Sequence, residues 1–166
     1  MKTRLVLAIG IVLLVSVWAL GQRSSLLAKY SRLIESELAC RSNPKAGKLL
    51  LNLRRQGFIN RTYVVEDSVS YFKLNRRLRV AGFSPVAVFG FEHRYPRFFV
   101  RGPGTAPPET IGIVVRGSIA SVKAKLNKLG LENLETEEHT YDFRGNVKES
   151  GSGLIQIGCW AKFSNQ

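Results

Sequence analysis

The cysteines and histidines are the residues whose types could carry out chemistry, and the chain has two of each: Cys40, Cys159, His93 and His139. All four together could form a zinc site, but zinc ligands usually come in closely spaced pairs, and these lie far apart in sequence. A Cys–His nucleophile pair has no flanking signature here either. The pattern therefore favours a non-enzymatic protein with no metal and no cofactor. A small exported enzyme that uses His93 or His139 is the alternative.

The two cysteines allow a single intramolecular pairing. Cys40 ends the first predicted helix. Cys159 lies in the last predicted strand, where alternation places it on the core-facing side with Ile155 and Ile157. In an exported domain this arrangement favours a disulfide between Cys40 and Cys159, whereas in the cytoplasm two separate buried thiols would be expected. We favour the disulfide.

Positive charge is concentrated in one part of the chain, whose overall net charge is +13. Residues 41–101 hold thirteen Lys and Arg against three acids, a net charge of +10. A surface of this kind attracts an anionic protein, glycan or lipid surface, although a generally basic, solvated surface is the alternative interpretation. The predicted binding residues are Lys45, Lys48, Arg54, Arg55, Arg76, Arg77, Arg79, Arg94 and Arg97.

Negative charge is concentrated further along the chain. Residues 132–149 hold six acids against two bases, a net charge of −4. Glu135, Glu137, Glu138 and Asp142 in this stretch are more typical of a solvated strand edge than of a tuned general acid and base.

Cations and aromatic rings are interleaved in residues 93–99, HRYPRFF. Single-stranded nucleic acid or a sugar ring can be bound by such a combination of stacking and charge. The alternative is a hairpin turn from which Phe98 or Phe99 enters the core. Export argues against nucleic acid as a partner, so this function depends on a membrane-anchored domain that faces the cytoplasm.

The stretch 5–21, LVLAIGIVLLVSVWALG, has no charge and follows Lys2 and Arg4. As a helix it would be roughly 26 Å long, slightly shorter than the hydrocarbon core of a bilayer. It is thus either a cleaved signal peptide or a short anchor. A short basic head before a leucine-rich run favours export of the rest of the chain to the non-cytoplasmic side, as in a periplasmic protein, and an anchor of opposite orientation with a cytoplasmic domain is the alternative. The predicted organisation is a signal peptide or membrane anchor at 1–21, an amphipathic helix at 22–42 and a single α+β domain at 43–166.

Two N-terminal helices are expected. Apolar residues recur at steps of three and four over 25–40, although Glu37 falls inside the apolar stripe. A second helix is marked by Asn43 as a candidate N-cap, Pro44 at its first position and Gly57 as its stop.

The remaining elements are mostly strands. Residues rich in β-branched and aromatic types predict strands at 62–65, 69–74, 86–91 and 98–101. A strand at 111–115 precedes a helix that Ser118 can cap, a further strand lies within 131–143, and a final strand at 154–163 pairs with it as an antiparallel hairpin. The predicted fold class is α+β, a mostly antiparallel sheet with a C-terminal β-α-β-β unit and N-terminal helices.

Overall fold

The structure is a computed structural model that describes residues 25–60, 64–99, 107–139 and 153–161. Among these residues there are three helices: α1 (residues 25–38), α2 (Ala46–Arg55) and α3 (Ile119–Lys128). The strands are β1 (Val64–Glu66), β2 (Val69–Lys73), β3 (Ala87–Phe91), β4 (Thr110–Arg116), β5 (Glu135–Glu138) and β6 (Leu154–Trp160). No helix in these four ranges is both long and apolar enough to cross a membrane, and the apolar stretch 5–21 lies outside them.

All six strands form one antiparallel sheet in the order β1-β2-β3-β4-β6-β5. Because β4 and β5 are both antiparallel to β6, they run parallel to each other with β6 between them. The predicted α+β class and the C-terminal β-α-β-β unit are confirmed. Ser118 caps α3 as expected, since its side chain accepts the Ser121 N–H and the Ser121 hydroxyl accepts the Ser118 N–H in return.

Helix α2 covers one face of the sheet. Ala46 and Leu50 of α2 lie over Gly90 of β3. The end of α1 is tied to the same face by the disulfide between Cys40 and Cys159, whose Cα atoms are 5.5 Å apart. The disulfide expected from the sequence is therefore present, and it links the first helix to the last strand.

The opposite face of the sheet carries a row of aromatic rings and glycines. Tyr71, Phe89, Gly112 and Gly158 are aligned across four neighbouring strands. The Phe89 ring occupies the space above the two glycines, because a Cβ at Gly112 would overlap the ring and one at Gly158 would lie 2.9 Å from it. Tyr71 packs beside Phe89 with ring centroids 5.1 Å apart. Because glycine has no side chain, these two positions leave room for the ring of Phe89, which is fully buried.

The sheet curves strongly around this aromatic face. His139, directly after β5, has its ring centroid 4.7 Å from that of Tyr71 in β2. In a flat sheet the four intervening strand spacings would place β2 and β5 roughly 19 Å apart. The Tyr71 hydroxyl also donates to Gln156 Oε1 of β6 at 3.0 Å. These contacts require a sheet that is concave on the aromatic side.

The N-terminus of α2 differs from the sequence prediction. Asn43 is not the N-cap: that position is Lys45, which gives no side-chain cap. Two carboxylates from other parts of the chain accept the free backbone N–H groups at the start of the helix instead. Glu37 of α1 accepts the Lys45 N–H at 2.9 Å. The buried Glu92 accepts the Gly47 N–H at 2.7 Å. Glu37, the exception in the apolar stripe of α1, therefore has a structural partner.

Replacing Glu92 with alanine is expected to lower the free energy of unfolding by about 1–3 kcal/mol, since the buried Gly47 N–H loses its acceptor. Arg94 forms an ion pair with Glu92 at 3.3 Å, but its side chain is 70% exposed. The matched variant Arg94→Ala should therefore cost at most about 1 kcal/mol. Urea unfolding of both variants checks this, and equal losses would show that Glu92 acts through the ion pair rather than as a helix cap.

The strand expected at 98–101 is not formed by its described residues. Phe98 and Phe99 lie in a turn after β3 and both side chains are buried, as the alternative interpretation of residues 93–99 proposed. The Phe98 N–H and the Phe99 N–H both donate to the Tyr95 carbonyl oxygen, and this local bonding excludes a strand ladder. Residues 100–101 of this predicted strand, 62–63 of the strand predicted at 62–65 and residues 140–152 lie outside the described ranges.

Candidate anion-binding surface

An arginine groove runs along one side of α1. It has a volume of about 390 Å³ and is lined by Leu27, Ala28, Ser31, Arg32, Glu35, Arg77 and Arg79. The groove is held together by Glu35, whose Oε1 accepts the Ala81 N–H at 2.6 Å. Ala81 and Gly82 form a tight turn between Val80 and Phe83, and both have positive φ. This turn fixes the segment that carries Arg77 and Arg79 against α1.

The same turn is also held from the side of α3. Lys125 Nζ donates to the Gly82 carbonyl oxygen at 2.6 Å and lies 4.2 Å from the centroid of the Phe83 ring. Two helices therefore position the turn, and the arginines next to it project from a fixed backbone.

A lysine groove lies between α1 and the start of α2. It has a volume of about 290 Å³ and is lined by Leu33, Glu37, Lys45, Lys48, Leu49 and Asn52. Because Glu37 accepts the backbone N–H of Lys45, the acid holds α2 beside α1 while the Lys45 side chain stays exposed.

A third hollow on the outer side of α1 joins the two grooves. It is lined by Ser25, Ala28, Lys29, Arg32 and Leu33, so it shares Ala28 and Arg32 with the arginine groove and Leu33 with the lysine groove. We call the continuous area of the two grooves and this hollow the α1 surface. Its cations, all exposed, are Lys29, Arg32, Lys45, Lys48, Arg77 and Arg79. Glu35 and Glu37 are the acids among its described lining residues, and each accepts a backbone N–H.

Of the nine predicted binding residues, four belong to the α1 surface: Lys45, Lys48, Arg77 and Arg79. Arg54 does not, since its guanidinium lies over the rings of Phe98, at 4.3 Å, and Phe72, at 5.2 Å.

The other four predicted residues lie outside the lining of the grooves. Arg76 lies 5.1 Å from the Phe58 ring centroid, and Arg94 is paired with Glu92. Arg55 and Arg97 are exposed. The structure thus brings together about half of the predicted set.

Lys29 and Arg32 are the cations of the α1 surface that the charge count did not select. They precede the strongly basic region 41–101 in sequence and fall on the polar side of the amphipathic helix. Their position on the polar side of the helix could have indicated that they are exposed. It could not have indicated that Arg77 and Arg79 lie beside them, because that approach depends on the turn held by Glu35.

The two histidines are in different environments. His93 is exposed next to the Phe91 ring, whereas His139 is 2% exposed and packs on Tyr71. Within the described ranges, no group of three or more His, Cys, Asp and Glu side chains is placed to hold a metal ion.

Acidic residues line a separate groove between α3 and β5. Its volume is about 290 Å³, and its lining includes Lys123, Glu132 and Glu135. Desolvation raises the pKa of Glu135 above its usual value, and the neighbouring Glu137 acts in the same direction. Among the described residues, Glu132 and Glu135 therefore lie in a groove that shares no lining residue with the α1 surface. No family model, curated protein or solved structure matches this chain.

Proposed function

We propose that this protein is a non-enzymatic binding or accessory domain, exported or membrane-anchored on the non-cytoplasmic side, that engages an anionic partner through the α1 surface. The observation that carries the proposal is the convergence of six exposed cations around one helix. Exposed cations that share grooves can contact several anionic groups of one partner at once.

The acids of the α1 surface support this function because they are already engaged. A carboxylate that accepts a backbone N–H is less available to the neighbouring arginines and lysines. Glu35 bonds to Ala81 and Glu37 bonds to Lys45, and no ion pair within the described ranges involves Arg32, Arg77 or Arg79. These guanidinium groups are accordingly open to an external anion.

The disulfide supports the proposed location. Disulfides persist mainly in oxidising compartments, and the bond between Cys40 and Cys159 joins two ends of the described domain. Together with the apolar stretch 5–21, it favours export over retention in the cytoplasm.

The double variant Arg77→Glu/Arg79→Glu is expected to weaken binding to heparin, a soluble polyanion, by about tenfold or more, because affinity for a polyanion follows the number of anionic groups neutralised. Binding is measured with the full chain in non-ionic detergent by titration at several salt concentrations. In the unchanged protein, the affinity should fall steeply as salt rises.

A charge-matched control separates this surface from a general effect of net charge. Arg116→Glu/Lys128→Glu changes net charge equally at exposed positions of β4 and α3. It should reduce heparin binding far less. Equal losses in the two double variants, or binding that does not depend on salt, would contradict the proposed function.

A further inference from the structure

Leu33 is an exposed apolar residue in the middle of the α1 surface. It is 41% exposed, although the periodicity of α1 would place it with the core residues Tyr30 and Ile34. It lines both the lysine groove and the outer hollow of α1. An apolar side chain surrounded by long cations is the pattern of a helix that lies at the surface of an anionic membrane.

The cations around Leu33 are arranged on more than one side of it. Lys29 and Arg32 share the outer hollow with it, and Lys45 and Lys48 share the lysine groove. Lysine and arginine side chains can lie along apolar material and extend their charged ends to phosphates. A soluble glycan would gain little from the leucine, whereas a lipid layer offers headgroups for the cations and acyl chains for the leucine.

The chain also brings α1 close to the apolar stretch 5–21. Three residues, 22–24, separate this stretch from the first described residue of α1. So short a connection spans at most roughly 14 Å when fully extended. If residues 5–21 are in the bilayer, α1 begins at its surface.

We propose that the α1 surface docks on anionic phospholipid headgroups, with Leu33 at the boundary between headgroups and acyl chains. This inference rests on the proposed function and names its partner. It requires Leu33 to contact lipid in an anionic membrane, and it requires the cations of α1 and α2 to hold it there.

The experiment places a fluorophore at Leu33 in the full chain. Leu33→Trp is made in a Trp18→Phe background and reconstituted into vesicles that contain brominated lipids, which quench tryptophan fluorescence on contact. The fluorescence of the Trp18→Phe protein without the added tryptophan is subtracted. Leu129→Trp is the matched control, because Leu129 is the other leucine among the large apolar side chains found exposed in the described ranges, at 47%. We expect quenching of Leu33→Trp in phosphatidylglycerol vesicles to exceed that of Leu129→Trp several-fold.

The dependence on charge distinguishes headgroup recognition from simple apolar contact. Quenching of Leu33→Trp should fall to the level of the control in phosphatidylcholine vesicles and at about 1 M salt, where the Debye length is about 3 Å. Adding Lys45→Glu/Lys48→Glu should have the same effect. Arg116→Glu/Lys128→Glu should leave the quenching unchanged.

Equal quenching of Leu33→Trp and Leu129→Trp, or equal quenching of Leu33→Trp in the two lipids, would overturn this inference. Heparin binding by the same proteins distinguishes the two levels of failure. Salt-dependent heparin binding without lipid contact leaves the proposed function intact and rejects the lipid partner. Loss of both rejects the anionic partner altogether.

Discussion

Replacing Cys40 and Cys159 with alanine is expected to lower the free energy of unfolding by about 4–5 kcal/mol. The disulfide joins residues that are 119 positions apart, and closing so long a loop removes much of the conformational entropy of the unfolded chain. Because small domains are stable by only about 5–15 kcal/mol, this loss would leave little margin. Urea unfolding of the double variant beside the unchanged protein measures the difference.

Reduction of the unchanged protein provides the control for packing. Cys159 is 1% exposed, so alanine at this position also removes some buried volume. With a reductant strong enough to break the bond, the unchanged protein should lose most of the same stability, while the double alanine variant should not respond. A reduced protein that unfolds at the same urea concentration as the oxidised one would contradict a stabilising role for the cross-link.

Gly112→Ala is expected to destabilise the protein by about 3 kcal/mol, the upper part of the usual range for overpacking a core. The added Cβ would overlap the Phe89 ring and come within 2.5 Å of the Ile157 carbonyl oxygen. At an unhindered site with an ordinary backbone, glycine to alanine commonly stabilises a protein by about 0.4–1 kcal/mol. The sign of the effect, measured by urea unfolding, therefore tests the close packing of the concave face.

Removing the ring should partly relieve this clash. Phe89→Leu alone is expected to be destabilising, because Phe89 is fully buried and packs against Tyr71 and Trp160. The stability loss of the double variant Gly112→Ala/Phe89→Leu should be smaller than the sum of the two single losses by about 0.5–3 kcal/mol, the usual coupling of residues in contact. Strictly additive losses would mean that the alanine clashes with the backbone rather than with the ring.

The α+β class and the C-terminal β-α-β-β unit could be predicted because they depend on local patterns. β4 is a short apolar run, α3 has a clear helix cap at Ser118, and β6 is a second short, mostly apolar segment, so neighbouring residues suffice to identify them. The prediction of the α2 cap was wrong because distant groups replaced a local one. Asn43 was a reasonable N-cap by type, but Glu37 and Glu92 accept the free N–H groups at the start of α2.

For the binding surface, too, one part could be predicted from the sequence and another depends on tertiary contacts. The excess of cations in residues 41–101 could be counted, but a count does not tell which side chains are available. Arg54 is stacked on Phe72 and Phe98, whereas Arg32, from outside the region, joins Arg77. These positions follow from how α1, α2 and the turn at Ala81 pack together.

The sequence by itself determined the fold class, the candidate disulfide partners and the basic character of the chain, since periodicity, residue type and charge are local properties. The tertiary structure alone decided the order and curvature of the sheet, the capping of α2 and which cations meet around α1. Those features depend on contacts between residues far apart in sequence, such as Glu35 with Ala81 and Tyr71 with His139, and no short window of sequence contains both partners.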